Sequence, residues 1–166
     1  MAVREVRIYP DPILKQVCTP AEVGGAETTA IITDLVDTMV DAGHSVGMAA
    51  PQIGILKRVA VVDVSHSKLG KKHNHGLLTM VNPEIIEASG SKVMREGCMS
   101  VPDYTGNVER AREITVQFSD ADGSERVVRC KGFEAVAIQH ELDHLDGLLF
   151  LDRVSNPKAD IFRRKG

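Results

Sequence analysis

The sequence predicts an α+β fold, and three observations carry that reading. An apolar helical stripe lies near the N-terminus, a long apolar helix lies near the C-terminus, and short β-branched runs divided by turn residues fill the interval. Tyr9-Pro10-Asp11-Pro12 reads as an extended or turn segment. Residues 27–42 place Ile31, Ile32, Leu35, Val36, Met39 and Val40 on one helical face, and Gly43 is positioned to end that helix. Residues 58–64 are β-branched and apolar, a buried strand. Residues 65–76 are polar and rich in Lys and His; they read as a solvated loop rather than a second metal site, although they hold His66, His73 and His75. Residues 77–81 form a strand closed by Asn82-Pro83. Residues 84–88 and 92–95 flank Ser89-Gly90-Ser91 as one hairpin, and residues 114–118 and 126–130 flank Asp122-Gly123 as a second. After Gly132, residues 133–149 read as a helix.

The chain has 166 residues, enough for one domain spanning 1–166 with an ordinary core. Hydrophobic content of 43% and charged content of 26% fit a soluble globular protein. A net charge of −3 with dispersed Lys and Arg argues against nucleic-acid specificity or membrane-surface binding. Arg163-Arg164-Lys165 reads as a solvated end. No apolar run reaches the roughly 18 residues of a membrane span, and Arg4, Glu5 and Arg7 are out of place in a signal peptide. Three Cys without framework spacing fit a reducing cytoplasm. One of them is then a candidate metal ligand or nucleophile; Cys18 and Cys130 read as buried thiols.

The chemistry is concentrated in His140-Glu141-Leu142-Asp143-His144. Two His four residues apart share one helical face and can converge on one metal ion, with Glu141 placed to reach a water on it. A catalytic centre of this type needs a third protein ligand and an open fourth position. Downstream only Asp146, Asp152 and Asp160 remain. Asp146 points off the His face, Asp152 is expected to pair with Arg153, and Asp160 lies in a polar tail. Upstream stands Glu96-Gly97-Cys98-Met99-Ser100. Alone, Cys98 would be a small buried hydrophobe; beside an H-E-x-x-H helix that lacks a downstream ligand it becomes the candidate. A third segment, residues 47–54, combines small residues that permit close backbone approach with Gln52, an amide donor. By itself it reads as a tight loop.

Together the three segments resemble the peptide deformylases, whose motifs G-x-G-x-A-A-x-Q, E-G-C-x-S and Q-H-E-x-D-H occur in that order. Here they are Ser45-Val46-Gly47-Met48-Ala49-Ala50-Pro51-Gln52, then Glu96 to Ser100, then Gln139 to His144. Asn82-Pro83-Glu84, Arg110 and Gly147 also match, and the resemblance runs from about Tyr9 to Arg153. Ser45 replaces the first Gly of the first motif, Met99 a commoner Leu, and Thr105 an Arg that many bacterial members carry seven residues after the Cys.

The resemblance implies antiparallel β-sheets packed around a central helix that carries H-E-x-x-H. It implies a hydrolase that removes formyl from the N-terminal Met of new proteins. Cys98, His140 and His144 would hold one divalent metal: the ligand set alone suggests Zn2+, whereas the resemblance implies physiological Fe2+, with Zn2+, Ni2+ or Co2+ as substitutes. Glu141 would be the general base, and the Gln52 amide and Met99 backbone N–H would stabilise the oxyanion. Val46, Phe133, Val136 and Ala137 are expected around the substrate Met, and backbone near Val46 and Gly47 would pair with the peptide. The partners implied are N-formyl-methionyl nascent peptides, with transient ribosome contact in the cytoplasm. Arg110 is expected to pair with Glu96 or Asp143, Gln139 to orient a loop, and His44 to face solvent or the site rim. The competing readings are an H-E-x-x-H metallopeptidase and a deformylase-like protein without catalytic work.

Overall fold

The computed structural model describes residues 2–164. An N-terminal extended segment leads through a 3-10 turn at Pro12–Lys15 to helix α1, Ala26–Ala42. Helix α1 buries Ile31, Ile32, Leu35 and Met39, carries Glu27 at its positive N-terminal end, and stops at Gly43, whose φ of 79° suits glycine. Val40, expected on the buried stripe, is 67% exposed. It sits at the edge of the arc, where the last turn leaves the core. The N-terminal segment is tied across α1: Asp34 accepts from the Ala2 N–H (3.0 Å) and Arg4 (2.9 Å), and Thr38 Oγ1 accepts from the Arg4 N–H (2.9 Å).

Among the described residues eight strands follow: β1 Gly47–Ala49, β2 Val59–Val62, β3 Leu78–Ser89, β4 Lys92–Cys98, β5 Val101–Arg110, β6 Glu113–Ser119, β7 Glu125–Lys131 and β8 Ile161–Arg163. Helix α2, Gly132–Leu145, a single helical turn α3, Pro157–Asp160, and 3-10 turns at Ala50–Ile53 and Phe150–Arg153 complete the elements of the described residues. The strands form two antiparallel sheets, a five-stranded one in the order β1-β2-β3-β6-β7 and a three-stranded one in the order β4-β5-β8. Helix α2 packs on β1, β2, β6 and β7 and is buried on nearly every face. Three apolar clusters hold the parts together. One lies between the five-stranded sheet and α2, one between α1 and β1–β2, and one joins Leu14, Leu149 and Phe150 to β4 and β5.

The α+β reading and the β6–β7 hairpin match the structure, whereas four local expectations do not. Asn82-Pro83 bends strand β3 instead of closing it. Pro83 lacks a ladder N–H, Asn82 takes a φ of 51°, and the register shifts between Val81 and Glu84 as at a bulge. Gly90 turns the chain between β3 and β4, but these strands do not pair: β3 joins β2 and β6, and β4 joins β5. Helix α2 ends at Leu145, not at 149. Gly147 has a φ of 77°, and a Cβ there would lie 2.7 Å from the Lys15 carbonyl oxygen, so the chain leaves the helix in a conformation reserved for glycine. The basic tail is partly an edge strand, β8 on β5, and not a free end; its Lys165 lies outside the described residues.

Candidate active site

Helix α2 sets the two His. His140 Nδ1 lies 2.9 Å from Glu96 Oε1, which turns its Nε2 toward the centre, and His144 Nε2 lies 3.4 Å from Cys98 Sγ. Cys98 ends β4, the strand that also supplies Glu96. Among the described residues, Cys98, His140 and His144 offer ligand atoms that all lie within 4.8 Å of one another, and all three are buried. A tetrahedral ion with bonds of about 2.0–2.3 Å separates its ligands by roughly 3.5 Å, so this S, N, N triad fits one divalent metal with small adjustment. Burial alone would raise the Cys98 thiol, but the neighbouring His144 and His140 imidazoles outweigh it and hold the group well below the ordinary thiol range.

Behind the ligands runs a buried ionic clamp. Arg110 donates to both oxygens of Glu96 (2.6 and 3.0 Å) and to Asp143 Oδ2 (2.8 Å); Arg153 donates to both Asp143 oxygens at 2.8 Å. Burial would raise the Glu96 and Asp143 carboxyls. For Glu96 the His140 and Arg110 contacts reverse this, and for Asp143 those of Arg153 and Arg110 do. The expected pairing of Arg110 with Glu96 or Asp143 is thus met with both. The expected pairing of Asp152 with Arg153 is not. Asp152 pairs with Lys15 and caps the Leu149 N–H (2.8 Å), because the chain turns at Gly147 and leaves Arg153 facing Asp143. Asp146 pairs with Arg58 (2.8 Å) and Asp160 accepts from Asn107 (3.2 Å), so the downstream carboxylates are engaged away from the triad.

Glu141 is 5% exposed, and its Oε1 has no hydrogen-bond partner among the described residues. Burial raises its carboxyl, against the pull of His140 and His144. A carboxylate buried with one oxygen free, beside a metal-ligand triad, is poised to accept a proton from water. Strand β1 makes room for it: a Cβ on Gly47 would lie 2.6 Å from Glu141 Oε2. Gln52 sits in a 3-10 turn, Ala50–Ile53, just after β1. The Ala49 N–H donates to its Oε1 (3.0 Å), which turns the amide nitrogen toward the centre, where it donates to Ser100 Oγ (3.1 Å) and lies 3.5 Å from Cys98 Sγ.

These groups face one cavity of about 520 Å³ between the two sheets. Its wall holds every predicted site residue except His144: Val46, Gly47, Gln52, Cys98, Met99, Phe133, Val136, Ala137, His140 and Glu141. His144 closes the triad from beneath, at 1% exposure. His44 is exposed at the cavity rim, which meets both halves of its expectation, and Gln139 clasps Ala111 through both of its amide atoms (3.0 and 2.9 Å). Ser45, where the resemblance has Gly, donates its hydroxyl to the Gly47 carbonyl (2.9 Å). Three features were not anticipated. Ser100 orients Gln52. Leu69, the lone large apolar residue of its polar loop, reaches the cavity. Arg164, read as a solvated tail residue, lays its guanidinium against Gly97 near Thr105.

The chain matches the family model for polypeptide deformylase over residues 3–160. It is 46% identical over 160 residues to the peptide deformylase of Heliobacterium modesticaldum, covering 96% of this chain and 99% of the relative. It is 41% identical over 166 residues to that of Rhizobium meliloti, covering 99% and 92%. A crystal structure of a class I type b peptide deformylase from Acinetobacter baumannii with Met-Ala-Ser bound superposes with a TM-score of 0.85, at 34% identity, covering 92% of this chain and 99% of that one. By sequence and by fold, the chain belongs to the peptide deformylase family, metal-dependent hydrolases that remove the formyl group from the N-termini of newly made proteins.

Proposed function

We propose that residues 1–166 act as one catalytic domain in which Cys98, His140 and His144 hold the metal and Glu141 moves the proton. The buried, unpartnered Glu141 Oε1 beside the S, N, N triad is the observation that carries this reading. A divalent ion at the triad supplies Lewis acidity, polarising the formyl oxygen and lowering the pKa of water. Glu141 takes the proton of the attacking water on its carboxylate and returns it to the departing amine. The Gln52 amide, its carbonyl end fixed by the Ala49 N–H, donates to the developing oxyanion together with the Met99 backbone N–H. Each such donor is worth about 3 kcal/mol in a preorganised site.

The substrate Met side chain packs against Val46, Phe133, Val136 and Ala137 in the apolar part of the cavity. Strand β1 is the edge of the five-stranded sheet, so the peptide adds as a further strand beside Val46 and Gly47. The Acinetobacter relative was crystallised with Met-Ala-Ser, a peptide of the kind that deformylation releases, which supports the same use of this cavity. The metal is Fe2+ under physiological conditions, with Zn2+, Ni2+ or Co2+ able to replace it. Availability as well as affinity decides among them. The nascent substrate places the protein in the cytoplasm in transient contact with the ribosome. No helix among the described residues is long and apolar enough to cross a membrane.

Formate release from N-formyl-Met-Ala-Ser under anaerobic conditions tests the reading. Wild type is expected to release formate and to leave unformylated and N-acetylated peptides intact, and Cys98→Ala is expected to lose both metal and activity. Full activity in Cys98→Ala, or cleavage of an internal peptide bond, would sink the assignment.

A further inference from the structure

Residues 65–76, polar in sequence, fold back so that His75 meets the start of α2 and the end of β7. The His75 N–H donates to Glu134 Oε2 (2.7 Å), its Nδ1 lies 2.6 Å from Glu134 Oε1, and Cys130 Sγ lies 4.0 Å from the same Nδ1. Glu134 and Cys130 are each 1% exposed, while the His75 side chain is 40% exposed. One thiol, one imidazole and one carboxylate therefore offer ligand atoms within 4.8 Å of one another. They front a cavity of about 410 Å³ that shares no lining residue with the cavity at Cys98. A buried carboxylate is costly unless well partnered. Glu134, although almost fully buried, has its two carboxylate oxygens met by the backbone N–H and ring of the partly exposed His75, with the Cys130 thiol beside them.

We propose that His75, Cys130 and Glu134 form a second metal site, and that its ion is zinc. Sulfur, nitrogen and oxygen donors at this separation suit zinc, with bonds of about 2.0–2.3 Å. Calcium and magnesium require several oxygen ligands, and this cluster has one carboxylate. Binding displaces the Cys130 thiol proton, which passes to solvent, while His75 binds as the neutral imidazole through its unprotonated ring nitrogen and keeps its N–H on the other. Lys72, Arg129 and Lys131 also line this cavity, with Arg129 leaning to Glu113 (3.5 Å). They oppose a bare cation but not the assembled centre, whose thiolate and carboxylate neutralise the ion. The fourth position is open to water or to His73, which lines the same cavity.

The site has a structural consequence. The loop that ends at His75 also carries Leu69, which lines the catalytic cavity. Zinc bound at His75 pins that loop to the first turn of α2, six residues before His140, and so steadies one wall of the substrate site.

Zinc per chain, measured by elemental analysis after equilibrium dialysis at buffered free zinc, tests the proposal in wild type, Cys130→Ser and His75→Ala. Formate release serves as the check that the fold and the catalytic centre are intact. Wild type is expected to take up one equivalent beyond the Cys98 centre, and both variants are expected to lose that equivalent while releasing formate. Cobalt substitution is expected to show two thiolate-to-metal charge-transfer contributions in wild type and about half that intensity in either variant. Saturation of wild type at one equivalent overturns the proposal and leaves His75 and Glu134 as an ion pair only. So does retention of the second equivalent by the variants. If Cys130→Ser fails to fold, His75→Ala decides alone, because that side chain is partly exposed.

Discussion

Glu141 reaches its working position because Gly47 leaves space for it. With a Cβ there only 2.6 Å from the carboxylate, Gly47→Ala is expected to displace the base while sparing the ligands. Misplacement of a reacting group by about 1 Å can cost roughly a hundredfold in rate. The expected result is a large fall in kcat with metal content and unfolding midpoint near wild type. An unchanged kcat would show that Glu141 has room elsewhere. Arg110 works at one remove, holding the Glu96 that orients His140 and the Asp143 beside His144. Arg110→Ala breaks two buried ion pairs, leaving Glu96 with His140 and Asp143 with Arg153, so denaturant unfolding should show a loss of about 3–5 kcal/mol, with weaker metal retention. Full stability and full metal content in that variant would end the clamp account. At this scale the sequence was most legible where geometry is local. His140, Glu141 and His144 follow from helical spacing alone, whereas Cys98 had to be found by elimination and resemblance. The meeting of His75 with Cys130 and Glu134 could not be read at all, because only the tertiary fold brings that loop to α2.

At the scale of elements, periodicity predicted both long helices and the β6–β7 hairpin, but pairing between distant strands was beyond it. A turn at Gly90 suggests a hairpin equally well whether its two strands pair or part. They part because β4 must carry Glu96 and Cys98 to the helix face that holds His140 and His144, away from the five-stranded sheet. Strand β5 is not legible in the sequence because Pro102, Asp103, Gly106 and Asn107 have poor strand propensity; its place between β4 and β8 overrides them. Strand β8 gives the basic tail a role. The Arg164 N–H donates to the Asp103 carbonyl (2.8 Å), which sets the guanidinium against Gly97 in the cavity wall, near the uncharged Thr105. If the cavity is used as proposed, a donor there would face the peptide beyond its first residue. Arg164→Ala is expected to raise KM for N-formyl-Met-Ala-Ser severalfold, a loss of about 1 kcal/mol, with kcat and the KM for N-formyl-Met unchanged. Equal effects on both substrates would assign Arg164 to stability instead.

Across the whole molecule, the catalytic cavity is a seam between two sheets with α2 as its floor. The five-stranded sheet contributes Gly47 and its free β1 edge, the three-stranded sheet contributes Cys98 and Glu96, and α2 contributes His140, His144 and Glu141. Each of the three apolar clusters fixes one of these parts relative to the others, so the site is a product of the packing as a whole. The sequence carried the α+β class and brought the candidate site residues into view, but the way the two sheets meet depended on contacts far apart in the chain. The division of labour proposed for this seam, with three ligands for the metal and one carboxylate for the proton, is tested most directly by Glu141→Gln. The measurement is formate release from N-formyl-Met-Ala-Ser by anaerobically purified protein, alongside its metal content. The expected result is metal content equal to wild type with kcat/KM reduced by roughly 10²–10⁴. Wild-type kcat/KM in Glu141→Gln would contradict the account.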